Sequence, residues 1–292
     1  MDKNLKKIFR RTAKYLLLIS PNFINEMFAK LPYSRFHMLH KYFSNFVYGE
    51  EIIEWLGVKF KVNPGKISDY YIYFFRPQND IEINTLLEYS KGCSCFVDIG
   101  ANAGTFSLII TNSNNNIITY AFEPNPAIQN IIKTNIQLNP NISDRVNYVM
   151  KAVSENSGSH EFALFKEDMH LARMVDDFKG EKEVVEVVSM DDYFKNLEIK
   201  PDIIKMDAEG EELKILKGMR NILKHNPPQT MLIEIHAGYY PEDEAKAFKQ
   251  NIYDILTSNN YKLSALKENK LEVIEDPDTW PGRYHILALR EN

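Results

Sequence analysis

Apolar and polar residues follow two different patterns along the chain, and the pattern changes near residue 79. Residues 1–60 carry a helical pattern, in which apolar residues between Leu5 and Leu17 recur about every 3.6 positions among lysines and arginines. From about residue 80, short apolar runs alternate with helical segments, which is typical of a doubly wound parallel sheet. We therefore predict an N-terminal helical extension over residues 1–78 and an α/β domain over residues 79–292.

The α/β domain is predicted to contain a mostly parallel seven-stranded sheet with helices between its strands. A further pair of strands, residues 161–165 and 184–188, is predicted as a partly antiparallel insertion around the polar loop 166–182. The seven strands of the main sheet are predicted at residues 93–99, 117–122, 146–150, 202–206, 231–235, 261–266 and 284–289. The helices are predicted at residues 105–111, 127–138, 211–218 and 241–259.

The N-terminal extension combines helical segments with one turn signal. Residues 33–46 and 52–56 look helical, and the turn Asn63-Pro64-Gly65 between the apolar runs 58–62 and 70–75 favours a hairpin. The basic helix over residues 1–19 leaves two interpretations open. It is either an attachment surface for an anionic membrane or an acidic partner, or a helix whose charged side is simply solvated.

Composition narrows the class of protein. The net charge of −5 argues against a dedicated nucleic-acid binder, although residues 1–50 hold 9 Lys/Arg and only 3 Asp/Glu. The two cysteines, Cys93 and Cys95, are too close in sequence for an ordinary disulfide, which favours a reducing compartment. No stretch approaches the roughly 20 apolar residues that span a bilayer. We expect a cytoplasmic protein, with peripheral contact at the inner membrane surface as the open alternative.

The segment 97–106 lies between a predicted strand and a predicted helix, where nucleotide-binding folds place their glycine-rich loop. Gly100 permits a tight turn, and Gly104 lets the backbone approach a ligand closely. The spacing differs from G-x-G-x-x-G, which disfavours a pyrophosphate ligand such as a nicotinamide dinucleotide. The carboxylate of Asp98 instead suits a ligand with an ammonium group, such as S-adenosylmethionine (SAM).

Two more positions extend this candidate cofactor site. Glu123 ends the second strand, where an acidic residue can accept hydrogen bonds from both ribose hydroxyls; alternatively it is a charge that favours entry into the next helix. Ala152 follows the third strand, where a small residue lets adenine lie against the backbone; alternatively it belongs to an ordinary turn. Both interpretations stay open for each residue.

These motifs together resemble the FkbM family of SAM-dependent methyltransferases, which have the Rossmann-like methyltransferase fold. The resemblance covers roughly residues 80–236. It is carried by the segments 97–104 (VDIGANAG), 121–125 (AFEPN), 151–155 (KAVSE), 204–218 (IKMDAEGEELKILKG) and 232–236 (LIEIH). The resemblance implies that the methionine part of SAM is lined by Asp98, Gly100, Asn102 and Gly104. It also implies that Glu123 holds the ribose.

Acidic residues and one histidine end the next two strands, at the edge of the sheet that faces the glycine loop. Asp207 and Glu209 follow the fourth strand, and alternation places Glu234 and His236 on one side of the fifth. We predict these four residues as the catalytic cluster, with His236 as a candidate proton acceptor. A divalent ion among them is the less favoured interpretation, because oxygen ligands at strand ends do not by themselves fix a metal, and no metal is predicted.

Each of these residues also has a structural interpretation. Glu209 is equally suited to cap the following helix, and His236 to fill a structural position. Asp207 is better suited to function, because it ends an apolar strand without an obvious partner. Lys205 is a candidate partner for one of the acids, and His170 in the polar loop is a rival proton acceptor.

The predicted function is methyl transfer from SAM to a hydroxyl of a small-molecule or glycan acceptor, with a sugar as the expected acceptor. Two alternatives belong to other classes. One is a nicotinamide-dependent oxidoreductase on a similar sheet, and the other is a non-catalytic SAM-binding or scaffold protein.

Overall fold

The structure is a computed structural model of the 292-residue chain. It describes residues 49–63, 81–164, 172–174, 180, 182–267 and 270–291. The chain divides into two compact units, Met1–Asn79 and Asp80–Asn292. The predicted helices at residues 1–19 and 33–46 lie outside the described residues, as do the predicted strand 70–75 and His170.

The first unit contains a hairpin of β1 (Glu51–Trp55) and β2 (Val58–Val62). Its two turn residues, Leu56 and Gly57, both have positive φ angles, of 49° and 76°, which matches the right-handed twist of the strands. The predicted helix over residues 52–56 is therefore wrong. Alternate side chains of both strands are buried, and five residues are too few to separate this period from that of a helix.

The second unit alternates strands and helices along the chain. Its strands are β3 (Cys95–Ile99), β4 (Ile118–Phe122), β5 (Val146–Val149), β6 (Ala152–Val153), β7 (Gly158–Leu164), β8 (Ala172–Met174), β9 (Lys182–Val188), β10 (Ile203–Met206), β11 (Thr230–Ile235), β12 (Tyr261–Lys267), β13 (Lys270–Val273) and β14 (Tyr284–Arg290). Its α-helices are α1 (Ile81–Tyr89), α2 (Thr105–Ser113), α3 (Gln129–Gln137), α4 (Met190–Phe194), α5 (Glu212–Lys217), α6 (Arg220–His225) and α7 (Glu242–Ser258). Short 3₁₀ turns occur at Ser143–Arg145, Ala237–Tyr239 and Pro277–Thr279.

The main sheet has the strand order β13-β12-β14-β11-β10-β3-β4-β5. Strands β11, β10, β3, β4 and β5 are parallel, and β14, β12 and β13 add an antiparallel edge. The α/β class with a mainly parallel sheet is thus confirmed, but the sheet has eight strands rather than seven. Strand β13 escaped prediction because all four of its residues are exposed at the edge, so no apolar run marks it.

The order of the strands reverses between β3 and β10. From β3 the chain adds β4 and β5 on one side, and it later adds β10 and β11 on the other. All residues of β3, β10 and β11 are buried, as expected for parallel strands covered on both faces. The carboxyl ends of β3 and β10 therefore lie side by side at a topological switch point, where such sheets bind ligands.

The predicted insertion forms a separate four-stranded sheet with the order β6-β9-β7-β8. Strands β7 and β9 pair antiparallel, as predicted, and β6 joins β9 in parallel. Phe162 of β7 and Ala152 of β6 share a small buried cluster with Val185 and Val187. The insertion follows β5 directly, which brings its first strand close to the carboxyl end of the main sheet.

No α-helix among the described residues has the length and apolar character needed to cross a lipid bilayer. The predicted membrane or partner contact through residues 1–19 stays a prediction, because those residues are not among the described ones.

Candidate active site

The loop after β3 has a backbone that only glycine fits at Gly100. Its φ angle is +75°, and a Cβ atom there would lie 1.9 Å from the carbonyl oxygen of Asp207. The N–H groups of Gly100 and Ala101 both donate to the carbonyl of Phe122, at 3.0 and 2.9 Å. Gly104, with φ +82°, precedes α2, and a Cβ there would meet Ile132 Cγ1 at 3.1 Å. The loop is thus held between β4 and β10.

Glu123 ties the end of β4 to this loop. Its Oε2 accepts a hydrogen bond from the Asn102 backbone N–H at 2.9 Å, and its Oε1 accepts one from the Asn125 backbone N–H at 2.9 Å. Burial raises the pKa of Glu123 to about 7, although the two N–H donors and the charge of Lys205 oppose the rise. The carboxyl group is therefore poised to change its charge near neutral pH.

A cavity of about 600 Å³, open to solvent, lies at the carboxyl ends of β3, β4 and β10. Six of the predicted site residues line it: Gly100, Asn102, Glu123, Ala152, Asp207 and Glu209. The other lining residues are Ile99, Phe122, Pro124, Lys151, Val153, Phe162, Ala208 and Glu211. The candidate cofactor residues and two of the candidate catalytic residues thus share one space.

Asp98 and Gly104 do not line this cavity. Asp98 is fully buried behind the loop, where its Oδ2 accepts the hydroxyl proton of Ser107 at 2.6 Å. Its Oδ1 lies 3.5 Å from Lys205 Nζ. In this structure Asp98 therefore supports the loop from behind.

Lys205 links the glycine loop to β10. Its ammonium group donates to the Gly100 carbonyl at 3.0 Å and lies 3.6 Å from Asp207 Oδ2. Burial alone would lower the pKa of Lys205, but the charges of Asp207 and Asp98 outweigh burial and raise it. Lys205 is therefore a permanent cation that pairs with both acids.

The other three predicted catalytic residues converge on the imidazole of the fourth, His236. Its Nε2 lies 3.8 Å from Asp207 Oδ1, 3.6 Å from Glu209 Oε2 and 3.6 Å from Glu234 Oε1. His236 is only 2% exposed and does not line the cavity, so Asp207 and Glu209 stand at the cavity wall with the imidazole behind them.

Glu212, which the sequence did not single out, holds the other side of the imidazole. Its Oε1 lies 3.0 Å from His236 Nδ1 and also accepts the Gly210 backbone N–H at 3.0 Å. Burial would lower the pKa of His236, but the bond to Glu212 and the charges of Asp207 and Glu209 raise it to about 8. In the sequence, Glu212 is one of two adjacent acids in a first helical turn, which is a common surface pattern. Only its complete burial reveals its role.

The carboxylate of Glu234 forms ion pairs with two basic residues. Its Oε1 accepts a hydrogen bond from Arg283 Nε, and its Oε2 lies 3.2 Å from His285 Nε2. Burial opposes ionisation of Glu234, but these two partners outweigh it and lower its pKa. Glu234 therefore joins the cluster as part of an ion-pair network.

Two cavity residues other than glycine have positive φ angles. Asn102 and Glu209 both have φ of 50°, and Gly210 follows with φ of 102°. Left-handed backbone costs free energy for residues with a Cβ, and such positions concentrate at functional sites. The hydroxyl of Tyr239 donates to Glu209 and helps to hold it in place.

Comparison with known proteins establishes the family to which this chain belongs. The family model described as the methyltransferase FkbM domain matches residues 98–263, which is more than half of the chain. The chain belongs to the FkbM methyltransferase family. The predicted family, the Rossmann-like methyltransferase fold and the enzyme class, a SAM-dependent methyltransferase, are thereby confirmed, and the oxidoreductase alternative is set aside.

Individual relatives share less than a third of their aligned residues with this FkbM methyltransferase. It is 28% identical over 176 residues to the hexuronic acid methyltransferase AglP of Haloferax volcanii, covering 60% of this chain and 69% of that protein. A methyltransferase FkbM structure from Methylobacillus flagellatus is 20% identical with a TM-score of 0.45, covering 76% of this chain but only 54% of the other. An O-methyltransferase of Bacillus cereus in complex with SAH is 12% identical with a TM-score of 0.44, covering 73% and 84%.

Proposed function

We propose that this protein transfers the methyl group of SAM to a hydroxyl of a sugar, within the domain over residues 79–292. The observation that carries the proposal is the cavity shared by the glycine loop, Glu123 and the acids that follow β10. When bound, SAM supplies an electrophilic methyl group on a sulfonium. The protein must then bind the donor, orient the acceptor and manage the proton of its hydroxyl.

The donor side of the cavity fits SAM. Glu123 offers carboxylate oxygens at the end of β4, where ribose hydroxyls are bound in folds of this type. Gly100 and Asn102 present backbone beside it, and Ala152 and Phe162 form an apolar wall suited to a flat ring. We assign cofactor binding to Gly100, Asn102, Glu123 and Ala152. Asp98 and Gly104 support the shape of the loop.

The acceptor side is assigned to Asp207 and Glu209. Both line the cavity, and their carboxylates can accept hydrogen bonds from sugar hydroxyls. Such bonds fix the reacting oxygen and favour loss of its proton toward the carboxylates. His236 and Glu234 act behind them, His236 through its contacts with both acids and Glu234 through the Arg283 ion pair.

We propose a hexuronic acid residue of a glycan as the acceptor. AglP is named for this substrate, and the described site contains basic side chains that suit a uronate carboxylate. Lys151 lines the cavity, and the exposed side chain of Arg283 lies at the edge of the acidic cluster. Charge pairing with either would favour a uronate over the corresponding neutral hexose.

Calorimetric titration of the full-length protein tests the donor. We expect SAM and its demethylated product to bind, and NADH not to bind. Incubation with SAM and glycosides of glucuronic acid or glucose, followed by mass spectrometry, then tests the acceptor. A mass increase of one methyl group on the uronate but not on the hexose supports the proposal. Methylation of the neutral sugar alone contradicts the acceptor, and failure of SAM to bind to folded protein contradicts the donor.

Glu123→Gln is expected to weaken SAM binding roughly tenfold to a hundredfold, because the amide has one acceptor oxygen in place of two. The affinity of the unchanged protein should also rise with pH between about 6 and 8, since Glu123 gains its charge there. Calorimetry at several pH values measures both effects. SAM titrates in the same range, so Glu123→Gln serves as the control and should lose the part of the pH dependence due to Glu123. Equal affinity and an equal pH profile in both proteins would contradict the ribose assignment.

A further inference from the structure

Two buried polar atoms face each other in the acidic cluster, and neither has a hydrogen-bond partner among the described residues. They are His236 Nε2 and Asp207 Oδ1, which lie 3.8 Å apart. A buried polar atom without a partner is energetically unfavourable, so such atoms mark places where a ligand completes the structure. Glu209 Oε2 lies 3.6 Å from His236 Nε2 and is the third candidate donor atom, although it also accepts the hydroxyl proton of Tyr239.

We propose that Asp207, Glu209 and His236 bind one divalent transition-metal cation. Each residue offers one donor atom, and the three atoms lie within 4.8 Å of one another. Metal–ligand distances of about 2.0–2.2 Å place donors on one ion up to roughly twice that distance apart. Small side-chain rotations therefore suffice to bring all three donors onto one ion.

Glu212 prepares the imidazole for this role. Because its carboxylate faces Nδ1 at 3.0 Å, it favours the tautomer with a proton on Nδ1 and a lone pair on Nε2. A carboxylate behind the second nitrogen is the usual companion of a histidine that binds a metal. The lone pair then points to the side where Asp207 and Glu209 lie.

The surrounding charge favours a cation and defines the donor set. The basic side chains of this network are Lys205, Arg283 and His285, and its carboxyl groups are those of Glu82, Asp98, Asp207, Glu209, Glu212 and Glu234. Lys205 approaches Oδ2 of Asp207, which leaves Oδ1 for the ion. Glu234 is held by Arg283 and His285, and therefore stays outside the donor set.

One imidazole and two carboxylates suit Mn²⁺, Fe²⁺ or Co²⁺ better than Mg²⁺, which prefers oxygen ligands and retains its waters. Three protein donors leave open positions on the ion. Since Asp207 and Glu209 line the cavity, those positions face the space in which an acceptor hydroxyl would lie. This use of the ion rests on the proposed function, whereas its binding does not.

Titration of the chelator-treated full-length protein with Mn²⁺, followed by electron paramagnetic resonance, tests the site without any turnover. We expect one bound Mn²⁺ per chain, with weaker binding of Mg²⁺. Asp207→Asn and Glu209→Gln should each weaken Mn²⁺ binding by about tenfold or more. Pulsed measurements should show coupling to an imidazole nitrogen, and His236→Gln should abolish that coupling.

Glu211→Gln is the matched control, because it also removes one carboxylate from the cavity wall but lies outside the donor set. It should retain Mn²⁺ binding within about threefold. Thermal unfolding of each variant verifies that it is folded, and the pulsed signal of the unchanged protein tests the site independently of any variant. Absence of bound Mn²⁺, equal binding by the donor variants, or bound Mn²⁺ without nitrogen coupling would overturn the inference. Methyl transfer without Mn²⁺ binding would overturn the metal site while leaving the proposed function intact. Mn²⁺ binding without methyl transfer would contradict the proposed function while leaving the metal site intact.

Discussion

Replacing Asp207 by Asn should reduce kcat by roughly a hundredfold to ten-thousandfold while SAM still binds. The position of residue 207 is set by its backbone, whose N–H donates to the Ile99 carbonyl at 3.0 Å and whose carbonyl packs against Gly100. The amide keeps this geometry but removes the negative charge that faces the acceptor and His236. Steady-state kinetics, with SAM binding measured separately, separates the two effects.

The matched control for this substitution is Asp254→Asn, on an exposed position of α7. It makes the same chemical change far from the cavity wall, and kcat should stay within about threefold. If Asp207→Asn also retained kcat within that range, Asp207 would have no part in orienting or deprotonating the acceptor. If it instead lost SAM binding, its place would be on the donor side.

Replacing Gly100 by Ala should lower the free energy of unfolding by about 3 kcal/mol or more. The new methyl group would lie 1.9 Å from a backbone oxygen of Asp207, and two packed central strands cannot separate without loss of their hydrogen bonds. The φ angle of +75° adds strain of its own. Chemical denaturation measures the change, and SAM affinity should fall as the loop shifts.

Gly92→Ala controls for the backbone strain alone. Gly92 has φ of +83°, but a Cβ atom added there would have nothing within 4 Å of it. Its substitution should therefore cost only about 1 kcal/mol, the usual cost of left-handed backbone for alanine. Similar losses for the two substitutions would mean that the contact between the glycine loop and β10 is not tight in solution.

The elements that carry the site were predictable because their signals are local. The run from Cys95 to Ile99 is apolar apart from Asp98 and is followed by glycine, so the strand and its loop could be placed from sequence. Alternation along β11 likewise put Glu234 and His236 on one side, and their side chains lie 3.6 Å apart. The antiparallel insertion was marked by two apolar runs around a polar segment.

The remaining features depend on contacts between residues distant in sequence. In the sequence, Asp98 looks like a ligand-binding acid. In the structure, its carboxylate is buried behind the loop, where it accepts a hydrogen bond from Ser107 and pairs with Lys205. Glu212 looks like a surface acid until the fold buries it against His236. No local pattern reports such pairings, because each partner comes from a different helix, strand or loop.

At Glu209, the left-handed backbone lowers stability, whereas the side chain is required for the proposed activity. Glycine there would relieve strain of roughly 1 kcal/mol, yet it would also remove a carboxylate from the cavity wall. Glu209→Gly should therefore raise the melting temperature and lower turnover. A search that selects only for thermal tolerance would drift toward an inactive protein at this residue.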